Sequence, residues 1–518
     1  MGIWGDSRGG LSRRDVIRWA AMGGSGAALL AACRAAVDEA GSPASPRPVP
    51  TASPPATAAG SDAPGTTLPV DPSRPWWLQG NFEPVDDELT VTVLEVRGSL
   101  PPDLVGHYVK NGSNPPRHDS PHWFFGDGMV HAVTLDGGAA TSYRNRWVRT
   151  DLFMAGAGFG EGVPGGGNSQ SNVSAIWHGG SLLTSGEVGL PYRVDPITLD
   201  TVGTHDFGGV LAQNFTAHPK IDPATGRMHA FGYGFAAPYL WYYVIEPDGT
   251  MSSVQEVELP LGTMIHDFAI TDTDVVFWDM PVVFDLELAT RFISEPGSGV
   301  MPFVWRPEHG SRLGVMPLGG PASAISWFEI DPCYVFHGVN AFRRGSEVVV
   351  DACRLPSMFE EGSNGLGGND SLCRWTIDTD AMTVTEDILE GDDPGDLPGR
   401  DPRLVGREYR YGYLVGERPN PATFELGDII KHDLATGRRE RWNPGPTRHA
   451  AEPLFVPADP ASEDGGWVLT FVHDDAADET VLAVLDATSI TAGPVAEVVM
   501  PRRVPYGFHA TWVASTEA

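Results

Sequence analysis

From about residue 76 onward the chain alternates short apolar runs with small turn-forming clusters, which is the pattern of many short β-strands. His131-Ala132-Val133-Thr134-Leu135 runs into Asp136-Gly137-Gly138, and Tyr192-Arg193-Val194 runs into Asp195-Pro196. Tyr242-Tyr243-Val244-Ile245 precedes Pro247-Asp248-Gly249, Ile429-Ile430-Lys431-His432-Asp433 precedes Ala435-Thr436-Gly437, and Val481-Leu482-Ala483-Val484-Leu485 precedes Asp486. Tyr108-Val109-Lys110 followed by Asn111-Gly112 reads the same way, as a strand entering a turn. Asp, Asn, Gly and Pro fill these gaps because they tolerate or pre-set turn dihedrals. Amphipathic helical spacing is scarce. Strand–turn–strand units recurring at irregular intervals predict an all-β fold, with the blades of a β-propeller first and a multi-sheet sandwich second. No clean repeat period is present, so spacing alone does not count the blades. Longer stretches rich in Gly, Pro, Phe and Met interrupt the pattern at about 151–170, 276–325 and 355–370. On a propeller such insertions collect on one face and roof a ligand tunnel; the plain alternative is surface loop.

Composition sharpens this in three places. The 518 residues are many for one domain unless it is a large repetitive β architecture, and 62 glycines with 45 prolines supply the turns that needs. A net charge of −32, with lysine only at 110, 220 and 431, argues against nucleic acid as a partner, because phosphate binding needs clustered cations. The acidity reads as solubility. Cys333, Cys353 and Cys373 are an odd set and read as buried packing thiols.

The first 75 residues read as targeting and tether. Ser12-Arg13-Arg14-Asp15-Val16-Ile17-Arg18 precedes an apolar stretch, Trp19 to Ala32, that is too short for an ordinary membrane span. It resembles a twin-arginine export signal, and Leu30-Ala31-Ala32-Cys33 resembles the lipobox of a bacterial lipoprotein, with Cys33 the lipidated residue. Residues 34–75 are rich in Ala, Pro, Ser and Thr and read as a disordered tether, which leaves 76–518 as the folded domain. The expected location is the outer face of the cytoplasmic membrane, by lipid anchor.

Four of the fifteen histidines stand apart by their neighbours: His218 in Asn214-Phe215-Thr216-Ala217-His218-Pro219, His266 in Met264-Ile265-His266-Asp267-Phe268, His337 in Tyr334-Val335-Phe336-His337-Gly338-Val339, and His509 in Tyr506-Gly507-Phe508-His509-Ala510-Thr511-Trp512. Their apolar settings predict burial, and a buried imidazole needs a hydrogen bond or a metal. Taken singly, each fits a satisfied core histidine. They are far apart in the chain and match no local zinc motif. A propeller offers one geometry in which they meet, the inner strands around the axis, where four imidazoles suit a divalent transition metal backed by carboxylates.

Longer motifs carry a resemblance. Leu104-Val105-Gly106-His107-Tyr108-Val109-Lys110-Asn111-Gly112, His122-Trp123-Phe124-Phe125-Gly126-Asp127-Gly128, Tyr143-Arg144-Asn145-Arg146-Trp147-Val148-Arg149-Thr150, Thr216-Ala217-His218-Pro219-Lys220, Trp305-Arg306-Pro307-Glu308-His309-Gly310, Asp401-Pro402-Arg403 and Gly507-Phe508-His509 follow one another in order. Together they resemble the carotenoid cleavage oxygenase family, which includes stilbene-cleaving dioxygenases and a retinoid isomerase. The resemblance covers about Gly80 to Val513. It implies a seven-bladed propeller with Fe(2+) on its axis, and the family's four iron histidines fall on His218, His266, His337 and His509. Carboxylates behind the last three fall on Glu187, Asp396 and Glu452. At 396 relatives usually carry Glu, so the shorter Asp implies a longer or water-bridged bond to His337. Val173 stands where many relatives have a threonine that shadows the metal.

The implied activity is oxidative cleavage of a C=C bond of a carotenoid or apocarotenoid by O2, with no catalytic residue beyond the metal site. The alternatives are a stilbene or phenylpropene cleaver and a propeller that binds a lipophilic ligand without turnover. Stilbene-cleaving relatives use a Tyr and Lys pair, and no lysine occurs here between Lys110 and Lys220, which favours the polyene. The expected partners are a polyene and O2, with a membrane met through the lipid anchor or an apolar patch.

Overall fold

Seven antiparallel sheets succeed one another along the chain of this computed structural model, which describes residue 71 and residues 73–515 apart from 160–162, 164–166, 168, 296–299, 361–369 and 419–424. They form a seven-bladed β-propeller. Blades two to six are each four strands in chain order, covering 174–204, 220–257, 269–330, 334–390 and 396–442. Blades one and seven borrow strands across the termini. Ala510–Ala514 pairs with Gly106–Ser113 to complete blade one, and Val96–Gly98 pairs with Pro494–Val499 to complete blade seven. The ring is therefore clasped twice by hydrogen-bonded ladders, which removes the two sheet edges an open fan would expose.

Burial explains the sequence pattern. Strands near the axis lie between neighbouring blades and are buried on both faces, as in Gly106–Ser113, while rim strands such as Met251–Val257 alternate. Val481 to Leu485 reads as a continuous apolar run because every one of these side chains is covered. The Gly137-Gly138 hairpin has φ of 54° and 80°, as a two-glycine turn permits.

Two expectations are corrected. Asn111-Gly112 is not a turn: both residues lie inside the strand Gly106–Ser113. Gly112 is there for close approach, since a Cβ would lie 2.4 Å from the Cα of Gly507, and Asn111 Nδ2 donates to the carbonyls of Ser171 and Ser174. The stretch 276–325 is also not one insertion. Asp274–Asp279 and Ser311–Pro317 are ordinary ladder partners in blade four, and only the segment between them departs from the blade. That segment holds the hairpin Val282–Phe284 with Phe303–Trp305 and the helix Leu286–Ser294, capped by Asp285. Phe292 from this helix packs its ring 4.9 Å from Phe125, and Phe125 lies 4.6 Å from Phe159 of the 151–170 stretch. Cys333, Cys353 and Cys373 are buried and unpaired, as expected.

Four buried histidines away from the axis are expected to make the fold acid-sensitive. Burial holds His122 and His131 down to about 3, and His229 and His473 down to about 4. A histidine depressed in the folded state adds stability that is complete above its unfolded value of 6.5 and lost as pH falls, because the unfolded chain takes up the proton first. Each contributes roughly 1 kcal/mol of loss per pH unit below that value. Urea unfolding at pH 7 and pH 5.5 is expected to show a fall of several kcal/mol, and an unchanged midpoint would count against neutral buried imidazoles.

Candidate metal centre

All seven blades contribute a residue to the axis. His218 and His266 stand just before the first strands of blades three and four, His337 lies on the first strand of blade five, and His509 immediately precedes the closing strand of blade one. Glu187 follows the second strand of blade two, Asp396 opens blade six, and Glu452 sits between the two short first strands of blade seven. The four imidazoles meet, with one ring nitrogen from each all within 4.8 Å of one another. His218 Nε2 is 2.9 Å from His266 Nε2, which is 3.3 Å from His337 Nε2.

Three carboxylates set the tautomers. Glu187 contacts Nδ1 of His266, Asp396 Oδ1 lies 2.9 Å from Nδ1 of His337, and Glu452 Oε1 lies 2.7 Å from Nδ1 of His509. An ionised carboxylate only accepts, so each Nδ1 carries the proton and each Nε2 turns a lone pair toward the axis. Burial raises all three carboxyls, but the charge and hydrogen bond of the imidazole outweigh it and each ends below its usual value. Burial, then the other three imidazoles, holds His218 well below the ordinary histidine range. Lone pairs aimed at one another across about 3 Å repel unless a cation sits between them, so this donor set fits a divalent transition metal. The shorter Asp396 reaches His337 directly and not through a water, and at 2.9 Å its bond is the longest of the three, as the missing methylene implied.

Supports that the sequence reading missed surround the centre. Tyr233 Oη donates to Glu187 at 2.5 Å. Lys220 Nζ pairs with Asp267 at 2.6 Å, and Asp267 Oδ2 accepts the backbone N–H of Gly338 beside His337. Lys110 Nζ donates to the carbonyl of Phe508, next to His509. A signal was available, since Lys220 and Asp267 are charges set in apolar surroundings within two residues of a singled-out histidine. Val173 is buried beside the centre, and its carbonyl accepts the N–H of His509.

A large cavity opens onto His266, His337 and His509, with an empty volume of about 1380 Å³ including its mouth. Its walls are dominated by apolar residues such as Phe124, Phe235, Phe336 and Phe508, and the insertions add Phe159, Met301, Phe303 and Met358. The centre thus lies at the wall of a largely apolar cavity.

Comparison with known proteins agrees with this geometry. The family model described as retinal pigment epithelial membrane protein, RPE65, matches residues 82–514. A carotenoid cleavage oxygenase of Mycobacterium tuberculosis is 35% identical over 513 residues, covering 87% of this chain and 100% of that protein. Carotenoid 9,10(9',10')-cleavage dioxygenase 1 of Arabidopsis thaliana is 33% identical, covering 85% of this chain and 90% of its own length. Among solved structures, lignostilbene dioxygenase of Pseudomonas brassicacearum superposes with a TM-score of 0.77 at 29% identity, covering 87% of this chain and 100% of its own. Cobalt-substituted Synechocystis ACO gives 0.75 at 26%, covering 85% and 98%. With its seven blades, its axial histidines and these matches along nearly all of the described chain, this protein belongs to the carotenoid cleavage oxygenase family and is an oxygenase.

Proposed function

We propose that this protein binds Fe(2+) through His218, His266, His337 and His509 and uses O2 to cleave a C=C bond of a carotenoid or apocarotenoid into two carbonyl products. The observation that carries the reading is the convergence of four imidazoles, three of them backed by a carboxylate, at the wall of an apolar cavity. Relatives named as carotenoid cleavage enzymes support it. Bound iron would supply activation of dioxygen, a chemistry that protein side chains lack. The chain's own residues do the rest. Glu187, Asp396 and Glu452 orient three imidazoles and offset part of the metal charge. The aromatic walls hold a polyene against the axis and exclude bulk water.

A hydroxystilbene is the second reading, favoured by the lignostilbene dioxygenase likeness. Against it, Lys110 donates to Phe508 and Lys220 pairs with Asp267, and no lysine lines the cavity among the described residues. A propeller that only binds a lipophilic molecule has no use for four converging imidazoles. Mass spectrometry separates these readings after the iron-loaded protein is incubated under labelled O2 with an apocarotenal, a carotene and a hydroxystilbene. A shorter, labelled aldehyde from a polyene is expected. Cleavage of the stilbene alone would sink the polyene reading, and no product from any of them would return the chain to the binding reading.

The segment 1–75 is read with this function as a twin-arginine lipoprotein signal and a tether; all of it but residues 71 and 73–75 lies outside the described residues. An anchored enzyme would meet lipophilic polyenes at the membrane. Cell fractionation is expected to place the mature protein with membranes, and recovery from the cytosol alone would remove this reading.

A further inference from the structure

His218 differs from the other three imidazoles in one respect. Carboxylates reach Nδ1 of His266, His337 and His509, whereas among the described residues none is paired with His218. Its backbone N–H donates to Thr216 Oγ1 at 2.9 Å, a bond that sets the main chain and not the ring. The place of this imidazole against its neighbours therefore comes through its strand.

That strand is tied to the next two blades by one ion pair. Lys220, two residues past His218, opens the first strand of blade three, and its Nζ lies 2.6 Å from Oδ1 of Asp267, the residue after His266. Asp267 Oδ1 also accepts the N–H of Phe268 at 2.7 Å, and Oδ2 accepts the N–H of Gly338, the residue after His337, at 3.0 Å. The ladder of the strand Tyr334–Arg344 loses register on both sides of Gly338, so the backbone beside His337 takes this bond from blade four. A single carboxylate thus joins three blades, each within two residues of a histidine. The two side chains are nearly sealed, 10% exposed for Lys220 and 2% for Asp267, and neither lines the cavity. A buried ion pair is a poor source of stability, because packed apolar residues of similar volume serve as well or better. What it supplies at this place is a fixed geometry. We propose that Lys220 and Asp267 are positioning residues that do for His218 what the carboxylates do for the other three, holding it at its distance from His266 and His337. The inference rests on the metal-binding part of the reading above and not on the cleavage reaction.

The test measures iron affinity by chelator competition, beside urea unfolding of the metal-free protein and the visible absorption of the cobalt(II)-loaded protein. Lys220→Met keeps an apolar stem and leaves Asp267 its two backbone N–H donors. The double variant Lys220→Met, Asp267→Asn removes both charges, so that neither is stranded, and its amide oxygen still accepts from Gly338. Both are expected to bind iron at least about tenfold more weakly, as loss of an outer partner of a metal ligand does. Both are expected to shift the cobalt bands, which follow coordination geometry. The double variant is expected to unfold near the urea midpoint of the unsubstituted protein. Iron affinity unchanged in both variants, or affinity that merely follows the urea midpoint with the cobalt bands unmoved, would overturn the positioning role and leave the metal centre standing. No iron bound by the unsubstituted protein would overturn the metal-binding reading and the positioning role with it.

Discussion

Replacing His266 by alanine is expected to reduce bound iron to background and product formation by more than a hundredfold. His266 Nε2 lies 2.9 Å from His218 Nε2 and 3.3 Å from His337 Nε2, so its loss opens the donor set between them. It also leaves the largely covered Glu187 with Tyr233 as its remaining partner. A buried charge stripped of its partner costs about 3–5 kcal/mol, so a drop in stability is expected beside the loss of metal. His309→Ala is the control. That imidazole is also acid-paired, 3.0 Å from Asp279, but it lies off the axis, so its loss is expected to leave the iron content unchanged. Metal analysis of both purified variants checks this. Full iron content in His266→Ala would refute the assignment of this side chain, and equal loss in both would reduce it to a fold defect.

Trp278→Ala is expected to be the costliest core substitution near the centre. Trp278 is 1% exposed on the strand Asp274–Asp279 of blade four, and it fills the space against Gly338 of blade five. A Cβ at Gly338 would lie 2.9 Å from the indole, so the two blades meet there with a glycine facing a tryptophan. Truncating a buried aromatic of this size costs about 3–5 kcal/mol, a large share of the 5–15 kcal/mol that holds a typical protein folded. The cavity lies one residue from His337, so looser metal retention is expected with the lost stability. Urea unfolding of the metal-free variant measures the first effect, and iron release to a chelator measures the second. A change below about 1 kcal/mol would mean that blade five collapses onto the vacated space.

How much of this could be read from the chain depended on how far each cause reached. Gly137-Gly138 and the strands around Tyr192 and Val481 were legible because turn dihedrals and two-sided burial act over a few residues. Asn111-Gly112 misled because the same two letters serve a turn or a close backbone approach, and Gly507 decides between them from across the ring closure. Asp396 was legible as a partner for His337 only through the family resemblance. That the bond is direct and not water-bridged was settled only by the placement of the two blades.

The sequence by itself determined the alphabet of the fold: short strands, their turns, the buried thiols, and four histidines whose apolar neighbours foretold burial, which holds for His266, His337 and His509 while His218 is half-buried. These are local matters, settled by side-chain chemistry and dihedral preference within windows of a few residues. That those histidines share one point, with a carboxylate behind three of them, was legible only through the family resemblance, because tertiary structure and not any local window brings them together. Tertiary structure also decided that seven blades each send one residue to the axis. Such convergence depends on closing the ring with Ala510–Ala514 against Gly106–Ser113, a pairing across nearly the whole chain. Nothing in a local window encodes which distant strand completes the circle; the burial of the matched faces does.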